Sequence, residues 1–529
     1  MEATVNNFPQ RCTQIAERFL LTAVIVDDQA HYEDPSPPPT QLRKPDRYTS
    51  ARPAEAIDEP EANDRRHSLD ARVLVDAFAE RGLICAVIAP RPDTESDKTI
   101  APAAKRADIV VLDWQLNHDN GERALSILSK LIEADAGERL RLVAIYTGEQ
   151  DIAAIGQMVE REMRKQEWTF KPDDRGVVLS YRHCHIVIYA KSDTRLAPDL
   201  KDRSIPEADV PQSLIGDFGD MTTGLLPSIA LSSLAAVRDN AHRVLDRFQS
   251  SLDAAFLAHR ACLSAPEDSQ RHIVNQIAGE LHAIMDDAAA TDNPAGIDAI
   301  KEWLKRTAGA NAEFTFGENK KLSFDRTVTL LSEGLKKNNF LGEKDFKCLS
   351  SGFARKQDST EELDRQLTWM FNFRTVFNAP PPILHLGTVL RRDNDKDDEK
   401  FFLCMRPRCD SARLTGENAF LLLPLTDPKE KTIQLVIRTS PETYRRVSVG
   451  TQASEWSLVR FAPEKVGGAV TAEKDNDGAF FFTAVDGTRY RWVGELKAEF
   501  AQRIAHHFAT GLSRVAVDNS EWLRRQENL

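Results

Sequence analysis

The sequence predicts a multidomain protein: an α/β domain with a doubly wound, parallel, five-stranded sheet, then an α-helical domain, then a β-rich α+β domain. Three observations lead to this fold class. Short apolar runs alternate with helix-like stretches as far as about residue 205, the pattern of right-handed βαβ crossovers. The middle of the chain has apolar residues at helical spacing. The last section consists of short strand-like runs separated by polar breaks.

Length and composition narrow the class of protein. A chain of 529 residues exceeds one ordinary core, so we expect roughly two to four domains. The net charge of -12 argues against a nucleic-acid-binding surface. No apolar run approaches the roughly 20 residues that span a bilayer, and the N-terminus does not resemble a signal peptide. Seven cysteines are few for this length and suit reduced thiols, so we expect a soluble, cytoplasmic protein without membrane contact.

We place the predicted domains at residues 1–217, 218–378 and 379–529. Within the first, residues 30–67 are rich in proline and charge and have little that could form a core, which predicts a disordered insertion. The segment at about 167–184 predicts an additional hairpin.

The elements of the first domain follow from the apolar pattern. The predicted strands lie at 21–28, at 83–90 and in three runs that end at Asp113, Thr147 and Lys191. The predicted helices lie at 69–81, 98–106, 121–134 and 151–166. Ser68 is the expected N-cap of the first of these helices.

The middle domain is predicted to be helical. The stripe of apolar residues over 229–260 indicates one helix of about 30 residues without internal breakers, which is either a plain core helix or a dimerisation element. Further helices are predicted at 269–287, 297–307, 325–337 and 359–373.

In the last domain, the spacing of the apolar residues changes from a helical to a strand-like pattern. Short strands between about 382 and 493 favour a small barrel or sandwich. Asp486-Gly487 between two aromatic runs indicates a type I′ hairpin. An amphipathic helix is predicted over 494–512.

Polar residues follow the predicted strands of the first domain and suggest a site. Asp27 and Asp28 end the first strand, and Asp113, Thr147 and Lys191 end three others. Carboxyl ends of parallel strands share one edge of a sheet, where ligands bind. Carboxylates suit Mg²⁺, and a carboxylate can also be the nucleophile toward phosphorus. A lysine and a hydroxyl can contact a transferred phosphoryl group.

These residues resemble the receiver domain of two-component response regulators, over about residues 18–217. The resemblance is carried by VDD at 26–28, LDWQLNHDNG at 112–121, YTG at 146–148 and YAK at 189–191.

The resemblance implies a role for each residue. Asp113 is the implied phosphoacceptor, and Mg²⁺ is bound by Asp27, Asp28, Asp113 and the backbone carbonyl of Gln115. Thr147, Lys191 and Tyr189 are the implied phosphate-contact and switch residues.

The chain also departs from the usual receiver pattern. The insertion at 30–67 is large, and the stretch from Thr147 to Lys191 is about twice the usual length. Ser192 stands where receivers commonly have proline, and Tyr189 lies two residues before the lysine rather than three. These differences fall on the surface that typical receivers use for output.

The resemblance implies a sensor histidine kinase as phosphoryl donor and a phosphoacceptor protein that is not itself an enzyme. The overall layout is similar to atypical receiver proteins of bacterial anti-phage defence phosphorelays, in which a receiver acts as a regulator or a phosphate sink. A homodimer formed through the helical domain is a further expectation.

Two alternatives stay open at this point. One is a receiver-shaped interaction scaffold that is not phosphorylated. The other is a gated effector with an unknown enzymatic activity in residues 382–529. For the latter, Arg406, Arg408 and Asp410 form a polar cluster within an apolar region and suggest a second site, against the alternative of a structural salt bridge.

Overall fold

The structure is a computed structural model. It describes residues 8–32, 69–90, 97–263, 265–317, 320–335, 337, 340–342, 349–354, 359–377, 380–393, 399–428, 432–440, 442–450 and 453–512. Most of the disordered insertion predicted at 30–67, and the expected cap Ser68, lie outside these residues.

The chain divides into two compact units. The first is Met1–Ala312 with Val328–Ser332, and the second is Glu313–Thr327 with Glu333–Leu529. The domain boundaries predicted after residues 217 and 378 stay predictions.

The first unit alternates helices with strands over its first two hundred residues. Its strands are Thr22–Val26 (β1), Ala30–His31 (β2), Leu69–Asp70 (β3), Ile84–Ile88 (β4), Ile109–Leu112 (β5), Arg141–Thr147 (β6), Lys171–Pro172 (β7), Val178–Tyr181 (β8), Cys184–Lys191 (β9) and Ser204–Ile205 (β10). Its helices are Phe8–Phe19 (α1), Ala71–Glu80 (α2), Asp97–Arg106 (α3), Glu122–Asp135 (α4), Ile152–Lys165 (α5), Val210–Met221 (α6), Leu225–Asp239 (α7), Ala241–Arg247 (α8), Asp253–Cys262 (α9), Ser269–Asp292 (α10) and Ile297–Ala308 (α11).

The main sheet of this unit contains the five predicted strands, all parallel, in the order β4-β1-β5-β6-β9. It is wider than predicted, because eight strands belong to it. β8 and β7 continue it antiparallel beyond β9, and β10 pairs parallel with the end of β9. The long segment after α5 thus forms a hairpin, β7 and β8, that pairs with β9.

Both faces of the central strands β1, β5, β6 and β9 are buried, which explains the continuous apolar runs of these strands. Residues of β1 alternate between two cores: Val24 and Val26 pack with α3, α4 and α5, whereas Ala23 and Ile25 pack with α1, α2 and α6. The result is a three-layer α/β arrangement, as the sequence predicts.

Two local predictions in this unit were wrong. Helix α2 is capped by Asp70, whose carboxylate accepts hydrogen bonds from the amides of Arg72 and Val73. The single helix predicted over 229–260 is broken into α7, α8 and α9. The side chain of Asn240 bonds to the carbonyl of Ala236 at the end of α7, a local bond that competes with helix continuation.

The second unit is mainly antiparallel. Its strands are Glu313–Phe316 (β11), Lys320–Ser323 (β12), Thr388–Arg392 (β13), Phe401–Cys404 (β14), Asn418–Thr426 (β15), Gln434–Ser440 (β16), Thr443–Val449 (β17), Ser457–Phe461 (β18), Glu473–Lys474 (β19), Phe480–Thr483 (β20) and Arg489–Glu495 (β21). Helix Phe324–Glu333 (α12) is divided between the units, and Thr360–Asn372 (α13) and Ala498–Leu512 (α14) belong to the second.

Nine of these strands form one antiparallel sheet in the order β16-β17-β15-β14-β13-β21-β20-β19, with β18 paired to β15. The β-rich prediction is confirmed in this form. One face packs on Ile504 and other residues of α14, and the other face forms a second apolar cluster around Phe420 and Phe461. No helix among the described residues is long and apolar enough to cross a membrane.

The predicted type I′ turn is replaced by a longer loop. That turn needs a positive φ at both central residues, but of Asp486 and Gly487 only the glycine has one. The amide of Ala484 bonds to the carbonyl of Thr488, and the Asp486 carboxylate accepts from the Thr488 amide. The side-chain bond to the backbone stabilises this alternative conformation.

Candidate functional site

The carboxyl edge of the parallel sheet brings Asp27 and Asp113 together. Strands β1 and β5 are paired up to Val26 and Leu112, and the amide of Asp113 bonds to the carbonyl of Val26. Each aspartate is the next residue along its strand, and both are buried. Neighbouring parallel strands therefore place two carboxylates side by side, as the sequence predicts.

Lys191 lies between these two carboxylates. Its Nζ is 3.2 Å from Asp27 Oδ2 and 3.3 Å from Asp113 Oδ1. Lys191 is the last residue of β9, so it reaches the aspartates from the far side of β6. Its aliphatic chain is buried, and its Nζ lies 5.8 Å from the centre of the Tyr146 ring. One ammonium thus partly neutralises two buried negative charges.

Burial shifts the protonation of this group of residues. Loss of water raises the pKa of Asp113 to about 7, although the nearby ammonium of Lys191 opposes the shift and Asp27 adds to it. The pKa of Asp27 is raised for the same leading reason. Burial works against the charge on Lys191, but the two carboxylates outweigh it and raise the pKa of the ammonium. The lysine is therefore charged at neutral pH, and burial disfavours the ionised form of the carboxylates beside it.

Backbone amides donate to the other oxygens of Asp27 and Asp113 and to one oxygen of Asp28. Asp113 Oδ2 accepts from the amide of Gln115 at 2.9 Å, and Asp27 Oδ1 accepts from the amide of Gln29 at 2.8 Å. Asp28 Oδ2 accepts from the amide of Asn117 at 2.9 Å. The loop after β5 is thereby tied to the loop after β1 across the site.

Gly121 closes the loop that begins at Asp113. Its φ of +88° is in the left-handed region. A Cβ at this position would lie 2.2 Å from the indole of Trp114, which is buried. Only glycine allows α4 to start this close to the residue after the implied phosphoacceptor.

Thr147 is fully buried at the end of β6, in register with Ala190 on β9. Its Oγ1 accepts from the amide of Glu149 at 3.1 Å. Backbone pairing therefore places it next to the strand position that precedes Lys191.

Tyr189 is directed toward helix α6. Its hydroxyl donates to Asp217 Oδ2 at 2.6 Å, and the guanidinium of Arg203 lies 5.0 Å from its ring centre. Arg203 also lies 3.6 Å from Asp217. The aromatic residue of β9 is thus linked to the helix that follows the receiver-like sheet.

Sequence reasoning did not identify three residues around the site. Glu149 accepts from Gln115 Nε2 at 2.7 Å, Asn117 donates its amide to Asp28, and Asp217 binds Tyr189. Glu149 and Asn117 belong to the loops that follow predicted strand ends, which is a usable signal. Asp217 lies in an ordinary helical stretch, and no local pattern marks it.

The second predicted cluster does not converge on one point. Arg406 donates to the carbonyls of Asp410 and Ala419, both at 2.8 Å, and its guanidinium lies 4.9 Å from the Phe420 ring centre. Arg408 pairs instead with Glu495. The contacts of Arg406 are those of a loop anchor, and a second site at Arg406, Arg408 and Asp410 stays a prediction.

The donor set around Asp113 fits a hard divalent cation. Asp28 Oδ1 is buried without a hydrogen-bond partner among the described residues, an arrangement that a cation would satisfy. Within the described ranges, no three His, Cys, Asp or Glu side chains form a ready-made metal cluster. Mg²⁺ is commonly bound through one or two carboxylates plus waters, so the carboxylates and carbonyls present are chemically suitable.

A parallel five-stranded core with two aspartates, a threonine and a lysine at its carboxyl edge is the arrangement of a receiver domain. The comparison with protein families agrees: residues 19–196 match the model described as the response receiver domain. The match covers about a third of the chain and lies within the first unit. Receiver domains are generally non-enzymatic phosphoacceptors served by histidine kinases. No curated protein and no solved structure matches the chain.

Proposed function

We propose that the receiver domain of this protein accepts a phosphoryl group on Asp113 from a histidine kinase. The observation that carries the proposal is the buried contact of Asp113 with Lys191 at the carboxyl edge of the sheet, 3.3 Å apart, within the region that matches the receiver family. A carboxylate with a raised pKa and an adjacent fixed cation is suited to react with phosphorus and then to hold the product.

In the proposed reaction, a carboxylate oxygen of Asp113 attacks the phosphorus of a phosphohistidine. A new O–P bond forms while the N–P bond breaks, and the electron pair stays on the imidazole nitrogen, which takes up a proton. The amide of Gln115 holds one carboxylate oxygen in place. The ammonium of Lys191 moves its contact from the carboxylate to a phosphoryl oxygen, and the Thr147 hydroxyl donates to another.

Asp27, Asp28, Asp113 and the carbonyl of Gln115 are the proposed ligands of Mg²⁺. When bound, the ion neutralises negative charge on the transferred group. The orphaned Oδ1 of Asp28 supports this assignment.

The contact of Tyr189 with Asp217 supports a route for the signal. We propose that a change of the Lys191 and Thr147 contacts on phosphorylation repositions β9, and that the hydroxyl of Tyr189 transmits it to α6. Tyr189 then acts as the switch residue through a helix rather than through an exposed ring.

The direct test is labelling of the full chain with acetyl phosphate and Mg²⁺. Wild type should take up about one phosphoryl group per chain, and Asp113→Ala should take up none, because the nucleophile is removed. Asp76→Asn is a matched control, since Asp76 is an exposed carboxylate on α2. EDTA should abolish labelling of wild type. Labelling that persists in Asp113→Ala would overturn the assignment, and an unlabelled wild type would favour the unphosphorylated scaffold.

Within a phosphorelay, we propose that the protein is a regulator or a phosphate sink, as in anti-phage defence. The pairing of β9 with β8 and β10 supports an unusual output, because it covers a strand that ends the sheet in a simple five-stranded receiver. A neighbouring gene for a sensor kinase, together with a separate effector that carries its own receiver, would favour the sink. Growth after phage challenge, compared between wild type and Asp113→Ala, tests the defence role.

The remaining parts of the proposal concern assembly and location. We propose a cytoplasmic protein that forms a homodimer through its helical region, supported by the exposed Leu245, Leu252 and Leu257 on α8, α9 and the turn between them. Sedimentation of wild type against a variant with these three leucines changed to Gln tests the dimer. A monomeric wild type at micromolar concentration would contradict it.

A further inference from the structure

A cavity of about 450 Å³ lies in the second unit, against the sheet face that packs on α14. Its lining comes from the end of α13 and the segment after it, from β13 and β14, from the end of β16 and from β21. A volume of this size is in the range of sites that bind whole small molecules. The candidate site around Asp113 belongs to the other unit.

Arginine dominates the polar lining of this cavity. Four of its fourteen described lining residues are Arg374, Arg391, Arg438 and Arg491, and none of the fourteen is a carboxylate. Guanidinium groups are planar, permanently charged and shaped for paired hydrogen bonds to phosphate. The lining therefore selects for an anion.

Two of these arginines are direct neighbours across the sheet. Arg391 on β13 is opposite Arg491 on β21 in the antiparallel ladder. They share a face with Val389 and Val493, which belong to the apolar cluster on that side. Like charges directly opposite each other destabilise a sheet. A bound anion between them would turn this repulsion into two attractions.

Described carboxylates pair with Arg374 and Arg391 but not with Arg491. Arg391 lies 3.0 Å from Glu399, which is half exposed. Arg374 lies 3.1 Å from Glu495, but Glu495 is shared with Arg408. Arg491 has no ion pair with any residue that the structure describes. Arg491 therefore contributes a positive charge that no described carboxylate pairs with, which favours an anionic ligand.

Aromatic side chains form another part of the lining. Trp369 stacks on Phe373 with ring centres 6.0 Å apart. The guanidinium of Arg438 lies 5.5 Å from the Trp369 ring centre and 5.9 Å from that of Tyr444. Phe401 is buried at the same cavity. A flat, apolar group can pack here while its charged part reaches the arginines.

We propose that this cavity binds a nucleoside phosphate, with the phosphates between Arg391 and Arg491 and the base beside Trp369. The paired guanidinium groups account for the phosphates, and the aromatic surface accounts for the base. The volume accommodates both parts together, whereas a lone phosphate would leave most of it empty.

Calorimetric titration of the full chain with ADP and with inorganic pyrophosphate tests the proposal. EDTA is present throughout, so that the acidic site of the receiver domain holds no metal. ADP should bind, and pyrophosphate should bind roughly 10-fold more weakly because it lacks the base. Arg391→Gln and Arg491→Gln should each lower the affinity for ADP by roughly 10-fold.

Two controls separate the parts of the site. Arg460→Gln changes an exposed arginine of β18 that does not line the cavity, and the affinity for ADP should stay as in wild type. Trp369→Leu should lower the affinity for ADP and leave the affinity for pyrophosphate unchanged, because only ADP has a base to pack beside Trp369. The melting temperature of Arg491→Gln should not fall, since the substitution removes a like-charge neighbour, and this checks that the variant is folded.

Two results with wild type alone would overturn the inference. One is that neither ADP nor pyrophosphate binds at millimolar concentration, and the other is that pyrophosphate binds as tightly as ADP. The inference would also be overturned if the affinity for ADP were the same in wild type, Arg391→Gln and Arg491→Gln. A phosphoserine peptide that binds where ADP does not would assign the cavity to a protein partner instead.

Discussion

The ammonium of Lys191 and the carboxylate of Asp113 lie 3.3 Å apart, and more than nine-tenths of each side chain is buried. A buried charge is tolerable mainly through such a partner, so each residue stabilises the ionised form of the other. The ammonium of Lys191 is therefore a counterion within the acidic edge of the receiver domain.

Removal of the Lys191 ammonium should destabilise the fold. Lys191→Met leaves the carboxylates of Asp27 and Asp113 buried without it, and we expect the free energy of unfolding to fall by about 3 kcal/mol. Urea denaturation in EDTA measures the change. Lys201→Met, at an exposed position, is the control. Equal stability of the two variants would show that Lys191 contributes nothing beyond a surface charge.

The hydrogen bond from Tyr189 to Asp217 should have a measurable effect on stability. Tyr189→Phe removes the 2.6 Å bond and leaves a largely buried carboxylate with the more distant Arg203, so a loss of about 1 to 3 kcal/mol is expected. Tyr181→Phe is a matched control, because its hydroxyl bonds to no described residue. The assignment fails if both variants unfold at the same urea concentration.

Gly121 and Gly82 allow backbone strain to be separated from steric overlap. Both have positive φ, +88° and +74°, but a Cβ at Gly82 meets nothing within 4 Å whereas one at Gly121 overlaps the Trp114 ring. Gly82→Ala should cost about 1 kcal/mol, and Gly121→Ala roughly 1 to 3 kcal/mol more. Thermal unfolding followed by circular dichroism measures both. A similar loss in the two variants would contradict the packing of Trp114 on Gly121.

His185 should make stability depend on pH below neutrality. Burial on β9, and then the nearby His183, lower its pKa in the folded protein below the ordinary value of 6.5. The unfolded chain therefore binds the proton more readily, so stability is intact above about pH 6.5 and is lost as the pH falls below it.

The melting temperature at about pH 7.5 and about pH 5.5 tests this dependence. His185→Gln should lose less stability between these values than wild type does. His242→Gln, at an exposed position on α8, should behave as wild type. An identical loss for His185→Gln and wild type would exclude His185 as the source.

The cysteines should differ sharply in reactivity. Burial raises the pKa of Cys184 and of Cys404 to about 12, so neither forms the reactive thiolate at about pH 8. Cys262 and Cys409 are exposed. A disulfide reagent should label Cys262 and Cys409 quickly and the buried pair only after unfolding, with peptide mapping as the readout. Fast labelling of Cys184 would contradict its place inside the sheet.

The placement of the candidate site residues was largely predictable, because each residue follows or ends an apolar strand. Continuous apolar runs mark parallel strands that are buried on both faces, and the residue that follows each run lies at the shared edge. This reasoning places Asp27, Asp113, Thr147 and Lys191 at one edge, where the structure has them. The distances among them depend on register and side-chain conformation, which no single run contains.

The parts that were not predictable depend on contacts distant in sequence or on local competition. Asp217 meets Tyr189 only because α6 packs on the sheet, and nothing within α6 indicates that partner. The helix over 229–260 has a regular apolar stripe, yet Leu245 and Leu252 are exposed in the structure. One long helix would gain little from burial of these leucines, and the side-chain bond of Asn240 to Ala236 competes with its continuation at the end of α7.

The widened sheet of the receiver domain ends at β7, which consists of Lys171 and Pro172 alone. Exposed strand edges invite the chains of other molecules to add further strands, which leads to aggregation. A terminal strand of two residues offers few backbone groups, its proline has no N–H to donate, and its lysine is charged and exposed. The inserted hairpin therefore replaces a long apolar edge with a short one, which disfavours intermolecular β-pairing at that edge.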